Sequence, residues 1–187
     1  QKIIAEHVRG GTPVTRWVTD FTQGGDKTLF EKQARIVLRN CGIIDPESLD
    51  DYLKTGGYEA LKGVLKASDA PSLVEKIFKS GLRGRGGAGF PTGLKWRFAA
   101  AEKNPQKYFI CNADEGDPGA FMDRTVLESD PHAVLEGMAI GGFAIGANKG
   151  YIYCRAEYPM AIARLNTAIA AAEAKGATRR GGTCGSG

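Results

Sequence analysis

The sequence predicts an α/β protein in which a helical lead-in is followed by part of a parallel sheet. Capping signals and apolar spacing before residue 80 are typical of helices. After a glycine-rich loop, two short apolar runs, "KYFIC" and "GYIYC", have the length and composition of strands. Helical segments alternate with these runs, and that order predicts parallel strands joined by a crossover helix.

Composition limits the class of protein. Of 187 residues, 42% are hydrophobic and 25% are charged, which argues against wholesale disorder. The net charge of +4 is too small to indicate nucleic-acid binding by itself. There is no signal-peptide pattern, and the longest apolar run, 138–147, is too short for direct membrane insertion. The cysteines form no CxxC or metal spacing, so we expect a reduced, cytoplasmic protein.

The chain begins with a segment that has no regular pattern. Glycine and proline interrupt residues 1–26, which we therefore interpret as an extended arm. The helical lead-in then occupies residues 27–79. Its first helix is predicted over residues 27–40 and is closed by Gly42.

The rest of the lead-in repeats one capping pattern. Asp45 is predicted as an N-cap followed by a proline, and Gly56 stops that helix. A further helix is expected over residues 58–66. The last one starts after Asp69 or Ala70 and ends before Gly81.

Residues 80–176 form the predicted α/β domain, and residues 177–187 a glycine-rich tail. The expected elements are a helix over 92–103, a strand over 107–111, an acidic loop over 112–120, a helix over 131–147, a strand over 150–154 and a helix over 158–175. This order predicts a partial Rossmann-like sheet with its ligand site at the carboxyl ends of the strands.

The glycine-rich loop "SGLRGRGGAGFPTG" (80–93) satisfies a dinucleotide-binding pattern at Gly84, Gly86 and Gly89. A helix, not the required strand, precedes it, and no Walker sequence is present, so neither fingerprint applies. Glycines still let backbone amides approach a phosphate closely, and the next helix points its N-terminus there. Arg85 and Lys95 add positive charge, together with Arg83 and Arg97. A turn that only packs two helices is the alternative, and an RNA-binding RGG tract is disfavoured because no repeat follows.

The acidic loop follows the first strand, at the edge where parallel sheets place their ligands. Its polar residues are Asn112, Asp114, Glu115 and Asp117. Carboxylates there can accept hydrogen bonds from sugar hydroxyls, whereas a metal site and a solvated turn remain alternatives. Together the two loops favour a ligand with phosphate at one end and hydroxyls at the other.

The segments that contain the glycine-rich loop and the acidic loop resemble a known protein family. "SGLRGRGGAGFPTGLKW" and "YFICNADEGDPGAFMDRTVLESDPH" resemble the flavoprotein subunits of respiratory complex I, NAD(P)-linked hydrogenases and NAD-dependent formate dehydrogenases. The upstream "RIVLRNCGIIDPESLDDYLKTGGYEAL" is similar to the hydrogenase and formate dehydrogenase branch. The resemblance covers roughly residues 80–160 densely. It implies noncovalent FMN, an NAD(H) site stacked on it, and hydride transfer followed by single-electron transfer to iron–sulfur clusters.

The resemblance also implies roles for individual residues. The positions that contact the phosphate and the flavin are Gly84, Gly86, Gly87 and Lys95, with Arg85 beside them. The positions that contact the ribityl chain and the ring edge are Asn112, Asp114 and Glu115. Phe90 and Phe98 match aromatic residues that stack on the dinucleotide, and Asp117 matches an acidic residue that contacts NADH. The respiratory branch has glutamate at the last of these positions. No side chain is assigned as a catalytic acid or base, and none as a metal ligand.

The family continues beyond residue 176 with the helical domain that holds a 4Fe–4S cluster, whose ligands are absent here. The expected partners are NAD(H) and the iron–sulfur subunits of an electron-transfer complex, and nucleic acid is not expected. An alternative is an inactive fragment that serves only as a structural piece of a larger assembly. Cys111 and Cys154 are expected to be small buried side chains, and His132 an ordinary first-turn helix residue.

Overall fold

The computed structural model of the chain describes residues 3–12, 14 and 33–176. The chain divides into two compact units, Gln1–Ile36 and Val37–Gly187. In the first unit, Ile3–Arg9 form a π-helix where the sequence predicts an extended arm. Residues 1–2, 13 and 15–26 of that arm and the tail after residue 176 lie outside the described residues, and the domain boundaries at residues 26 and 79 stay predictions.

The second unit contains, among its described residues, seven α-helices and two strands. In chain order they are α1 (Leu49–Lys54), α2 (Glu59–Ala67), α3 (Ala70–Lys79), α4 (Thr92–Ala101), β1 (Tyr108–Ala113), α5 (Met122–Ser129), α6 (Pro131–Ile145), β2 (Lys149–Cys154) and α7 (Pro159–Ala174). The two strands pair in parallel, which confirms the predicted α/β class. In the part of the chain that is described, no helix is both long enough and apolar enough to cross a membrane.

The first predicted helix is wrong where it can be compared. Residues 27–32 lie outside the described residues, and residues 33–40 form irregular backbone and turns. Ile36 and Val37 are exposed there, so no buried apolar face stabilises a helix, and their β-branched side chains disfavour one. Gly42, at φ 77°, lies in the turn that follows.

The second helix starts later than its capping pattern predicts. Asp45 is not the N-cap; its Oδ1 accepts a hydrogen bond from the Glu47 amide at 2.9 Å and closes a local turn. Ser48 caps α1 instead, because its Oγ accepts from the Asp51 amide at 3.2 Å. The predicted cap at Asp69 is confirmed, since Asp69 accepts from the Ser72 amide at 2.9 Å.

Helix α6 is the centre of the second unit. It contacts helices α2, α3, α4, α5 and α7 and both strands. Asp130 caps its N-terminus by accepting from the Ala133 amide, and Gly146 ends it in the left-handed conformation at φ 75°. An all-round apolar sequence suits this position, because α6 has neighbours on most sides.

The sheet has one covered and one open face. Side chains of Phe109, Ala113 and Ile152 face the helices, together with Cys154, which is buried as predicted, and Cys111, which is only partly buried. The opposite face carries large exposed side chains. They are Tyr108, Ile110, Tyr151 and Tyr153.

A buried polar cluster joins the lead-in to α6. The Glu136 carboxylate accepts hydrogen bonds from the Tyr52 hydroxyl at 2.6 Å, the Tyr58 amide at 2.8 Å and the Leu61 amide at 3.0 Å. The last two are donors at the N-terminus of α2, so one carboxylate on α6 caps that helix. Burial, with the Glu136 carboxylate close by, raises the pKa of Tyr52. His132 belongs to the same cluster: its Nδ1 lies 3.0 Å from the Tyr58 hydroxyl.

The buried imidazole of His132 predicts a pH-dependent stability. Burial lowers the pKa of His132 below its ordinary value of 6.5. Below pH 6.5 the unfolded chain therefore takes up a proton that the folded protein resists, so stability falls as the pH is lowered from 7.5 to 5.5. We expect His132→Gln to flatten this part of the profile of unfolding free energy against pH, measured by urea denaturation. The wild type, measured over the same pH range, is the comparison, and an unchanged slope in His132→Gln would contradict the prediction.

Candidate functional site

The glycine-rich loop is held closed at its base. The Gly84 amide donates to the Phe90 carbonyl at 2.9 Å, and the Thr92 amide donates to the Leu82 carbonyl at 2.9 Å. The enclosed residues include Gly87, at φ 99°, a backbone conformation that residues other than glycine rarely adopt. Nothing lies within 4 Å of a Cβ built at Gly86 or Gly87, so the backbone of the loop faces open space.

The loop leads directly into the N-terminus of α4. Pro91 is the N-cap residue, and no side chain caps the helix. The Thr92 amide donates to the Leu82 carbonyl, and the other amides in the first turn of α4 have no side-chain acceptor, which is the arrangement that binds anions at helix N-termini. Arg85, within the loop, and Lys95, in the first turn of α4, are exposed. Arg97 lies elsewhere than the sequence suggests, because it pairs with Glu75 on α3.

Two close packing contacts fix the positions of the elements next to this loop. A Cβ on Gly93 would lie 2.3 Å from Cα of Phe78, so α4 packs backbone to backbone against α3 at the point where the loop ends. A Cβ on Gly141 would lie 2.3 Å from the Phe109 ring, and 3.1 Å from the ring of Trp96. The Trp96 and Phe109 rings meet edge to face, with centroids 6.2 Å apart. Helix α6 thus anchors both α4 and β1, the elements next to the two candidate loops.

Two aromatic side chains near the loop are unusually open to solvent. Phe90, in the loop, is 47% exposed, and Phe98, on α4, is 60% exposed. Large exposed aromatic rings are available for stacking on a planar ligand. The predicted stacking role of both residues stays a prediction.

The acidic loop starts at the carboxyl end of β1, as predicted. Asn112 is exposed on the strand, and its Oδ1 accepts from the Asp114 amide at 3.3 Å. Asp117 is exposed in a turn closed by a hydrogen bond from the Ala120 amide to its carbonyl at 3.1 Å. Asn112 and Asp117 therefore present oxygens to solvent at the edge where parallel sheets bind ligands.

Glu115 is engaged within the protein. Its Oε1 accepts from the Asp123 amide at 2.8 Å, and its Oε2 accepts from the Arg124 amide at 2.9 Å. The carboxylate thereby caps the N-terminus of α5, a helix that the sequence pattern does not predict. Burial, together with the nearby charge of Glu115, raises the pKa of Asp123. Contact between this carboxylate and a ribityl chain stays a prediction that the cap disfavours.

Helix α6 contacts both α4, which follows the glycine-rich loop, and β1, which precedes the acidic loop. Among the described residues, no hydrogen bond or ion pair joins residues 80–91 to residues 112–120. Within the same described part of the chain, no three His, Cys, Asp or Glu side chains are grouped as metal ligands would be. A ligand that contacts both loops would therefore have to bridge them.

Comparison with known families identifies the family to which the segment with these loops belongs. The model of the Nuo51 FMN-binding domain matches residues 77–182, more than half of the chain and all of the glycine-rich and acidic loops. The chain belongs to the Nuo51 FMN-binding domain family. The resemblance noted in the sequence is thus confirmed.

Individual relatives agree with this family. The chain is 62% identical over 142 residues to the NADP-reducing hydrogenase subunit HndC of Solidesulfovibrio fructosivorans, covering 76% of this chain and 29% of that protein. It is 54% identical over 129 residues to an NADH-quinone oxidoreductase subunit of Aquifex aeolicus, covering 69% of this chain and 30% of the relative. The chain therefore spans about a third of the length of these relatives.

A solved structure supports the fold. The NAD⁺-reducing [NiFe]-hydrogenase in the air-oxidised state is similar with a TM-score of 0.62 and 30% sequence identity. The likeness covers 97% of this chain and 30% of the hydrogenase chain. The α/β architecture described above is therefore one that a hydrogenase chain shares.

Two features of this Nuo51 FMN-binding domain escape sequence reasoning. Helix α5 follows Phe121, which cannot cap a helix, so no local signal announces it; its cap comes from Glu115, seven residues before the helix begins. Arg155 donates from Nη1 to the Glu115 carbonyl at 3.0 Å, across 40 residues of sequence. The only available signal is its position as the first basic residue after β2.

Proposed function

We propose that this chain binds FMN between its glycine-rich and acidic loops and serves the exchange of electrons between NAD(H) and an acceptor. The observation that carries the proposal is the uncapped N-terminus of α4 directly behind an open glycine loop. Membership of the Nuo51 FMN-binding domain family and the resemblance to hydrogenase and NADH-quinone oxidoreductase subunits support it.

The residues present fit a flavin nucleotide. The amides around Gly84, Gly86 and Gly87 and the start of α4 offer donors for a phosphate, and Arg85 and Lys95 offer compensating charge. Asn112, Asp114 and Asp117 offer acceptors for hydroxyl groups. Open space around the glycines leaves room for the ligand to approach the backbone.

The protein's part in the reaction is positioning and electrostatics. FMN, when bound, supplies the chemistry, because it accepts a hydride from NADH and releases single electrons. The glycine loop and α4 hold the phosphate, and the acidic loop orients the sugar alcohol. Phe90 and Phe98 offer rings on which a dinucleotide can stack. No side chain of the site is required to move a proton.

Titration of flavins into the purified protein tests the proposal. We expect saturable quenching of FMN fluorescence and, because riboflavin lacks the phosphate, affinity for riboflavin at least about 100-fold lower. Lys95→Gln should weaken FMN binding about 10-fold, the effect of losing one charged contact. Lys103→Gln, at an exposed lysine beyond the end of α4, is the matched control and should leave affinity unchanged.

Other outcomes of the titration are also informative. NADH added to the FMN-loaded protein under anaerobic conditions should bleach the flavin's visible absorbance. A folded protein that stays empty at saturating FMN would contradict the proposal and favour the alternative, a structural piece of a larger assembly.

Assembly with iron–sulfur subunits, and a cytoplasmic location, are parts of the same proposal. The assembly is supported by the relatives, whose names describe subunits of a hydrogenase and of an NADH-quinone oxidoreductase. The iron–sulfur partners rest on the resemblance noted in the sequence, and the location rests on the cysteine spacing. Co-purification from the native host, followed by iron analysis of the complex and fractionation of the cells, tests both. Recovery of the chain alone would contradict the assembly.

A further inference from the structure

Arg155 lies where the two strands of the sheet end together. The last residue of β1, Ala113, pairs with the last residue of β2, Cys154. Arg155 is therefore the first residue beyond β2 and stands beside the start of the acidic loop. Its Nη1 donates to the Glu115 carbonyl at 3.0 Å, and its Nη2 lies 3.3 Å from Oε1 of Glu157.

Glu115 needs such support because of its backbone. It lies at φ 49°, in the left-handed region of backbone conformation that residues other than glycine, asparagine and aspartate rarely adopt. An unfavourable backbone conformation of this kind persists when several surrounding contacts hold it in place. Here α5 holds the two carboxylate oxygens of Glu115, and Arg155 holds its carbonyl oxygen. Three hydrogen bonds, two from the start of α5 and one from Arg155, thus maintain one unfavourable backbone conformation in the middle of the acidic loop.

A buried aromatic ring orients the arginine. The Arg155 guanidinium carbon lies 5.4 Å from the centre of the Tyr158 ring, and that of Arg124, at the start of α5, lies 5.3 Å from the same ring. Both distances are within the range of cation–π attraction. Tyr158 is buried, so its ring is a fixed support for the guanidinium groups of Arg124 and Arg155.

We propose that Arg155 is a positioning residue for the flavin nucleotide, which it does not touch. By holding the Glu115 carbonyl, it keeps the acidic loop in the conformation that presents Asn112 and Asp114 at the end of β1. This inference rests on the proposed function. It also assigns to Glu115 the part of a loop anchor, in place of direct contact through its carboxylate.

Arg164 provides a matched control. It too is an arginine whose Nη1 donates to a backbone carbonyl, that of Glu128, at 2.6 Å. Its side chain is 27% exposed, against 26% for Arg155, and each is paired with an exposed glutamate. Glu128 lies near the carboxyl end of α5, so removal of Arg164 removes a similar bond without touching the acidic loop.

The experiment compares Arg155→Ala, Arg155→Lys and Arg164→Ala with the wild type in the purified protein. Arg155→Ala should raise the dissociation constant for FMN about 10- to 100-fold, which corresponds to the loss of one charge-assisted hydrogen bond. Arg155→Lys should recover part of the affinity, because a lysine can reach one of the two acceptors. Arg164→Ala should bind FMN as the wild type does, although its melting temperature falls.

Hydrogen exchange of the ligand-free protein gives a second readout. We expect faster amide exchange over residues 114–120 in Arg155→Ala but not in Arg164→Ala. The proposal is overturned if Arg155→Ala and Arg164→Ala bind FMN equally well, or if exchange in the loop is the same in both. If the wild type binds no FMN, the proposed function fails, whereas the exchange measurement still decides whether Arg155 fixes the loop.

Discussion

Glu136→Ala is expected to lower the free energy of unfolding by about 3–5 kcal/mol. Glu136 is buried on α6, and its carboxylate is the acceptor for the Tyr52 hydroxyl and for the amides of Tyr58 and Leu61. Removing it leaves three donors without an acceptor in a region that water reaches poorly. Buried donors that lose their acceptor cost their full desolvation penalty, which exceeds the net value of the hydrogen bonds themselves.

Urea denaturation followed by circular dichroism measures this effect. Glu136→Gln keeps the shape but replaces an acceptor with a donor, so it should fall between the wild type and Glu136→Ala. Glu102→Ala removes an exposed glutamate at the end of α4 and should leave the midpoint unchanged. A loss below about 1 kcal/mol in Glu136→Ala would show that the cluster does not hold the lead-in to α6.

Gly93→Ala is expected to lower stability by about 3 kcal/mol and to weaken FMN binding as well. The added methyl group would lie 2.3 Å from Cα and 2.4 Å from the amide nitrogen of Phe78. Both are backbone atoms of α3, so a side-chain rotation cannot relieve the overlap, and α4 has to move. Because the glycine-rich loop ends at the first residues of α4, the movement also displaces the proposed phosphate site.

Gly137→Ala is the control for this prediction. Gly137 lies in the interior of α6, is exposed, and has no atom within 4 Å of the added methyl group. The change should raise stability by about 0.5–1 kcal/mol, because alanine loses less backbone entropy in a helix. Thermal denaturation and FMN titration of both variants measure the contrast. Equal stability of Gly93→Ala and the wild type would contradict the close approach of α3 and α4.

Local signals were sufficient for most elements of the second unit. Asp69 and Asp130, each followed within two residues by a proline, mark the starts of α3 and α6 in the sequence and in the structure. The short apolar runs of β1 and β2 were equally informative. In each case the cap or the strand pattern is formed by neighbours in the chain, so sequence spacing carries the information.

The predictions failed where partners are distant in sequence. Residues 33–40 have a helical pattern but bury no apolar face, and α5 is capped by a glutamate from the previous loop. His132 is in the first turn of α6, as predicted, but its spacing does not indicate that it lies buried against tyrosines of the lead-in. The spacing of residues along the chain does not reveal these contacts, because they form only when the packed helices bring distant surfaces together.

The sequence by itself determined the α/β class, the two candidate loops and the resemblance to flavoprotein subunits, since capping residues, strand runs and glycine positions act over a few neighbours. Only the tertiary structure decided that Glu115 caps α5 and that Arg155 holds its carbonyl. The tertiary structure also decided that Glu136 joins the lead-in to α6. The physical reason is that a buried or strained polar group is stable only when distant parts of the chain supply its hydrogen-bond partners.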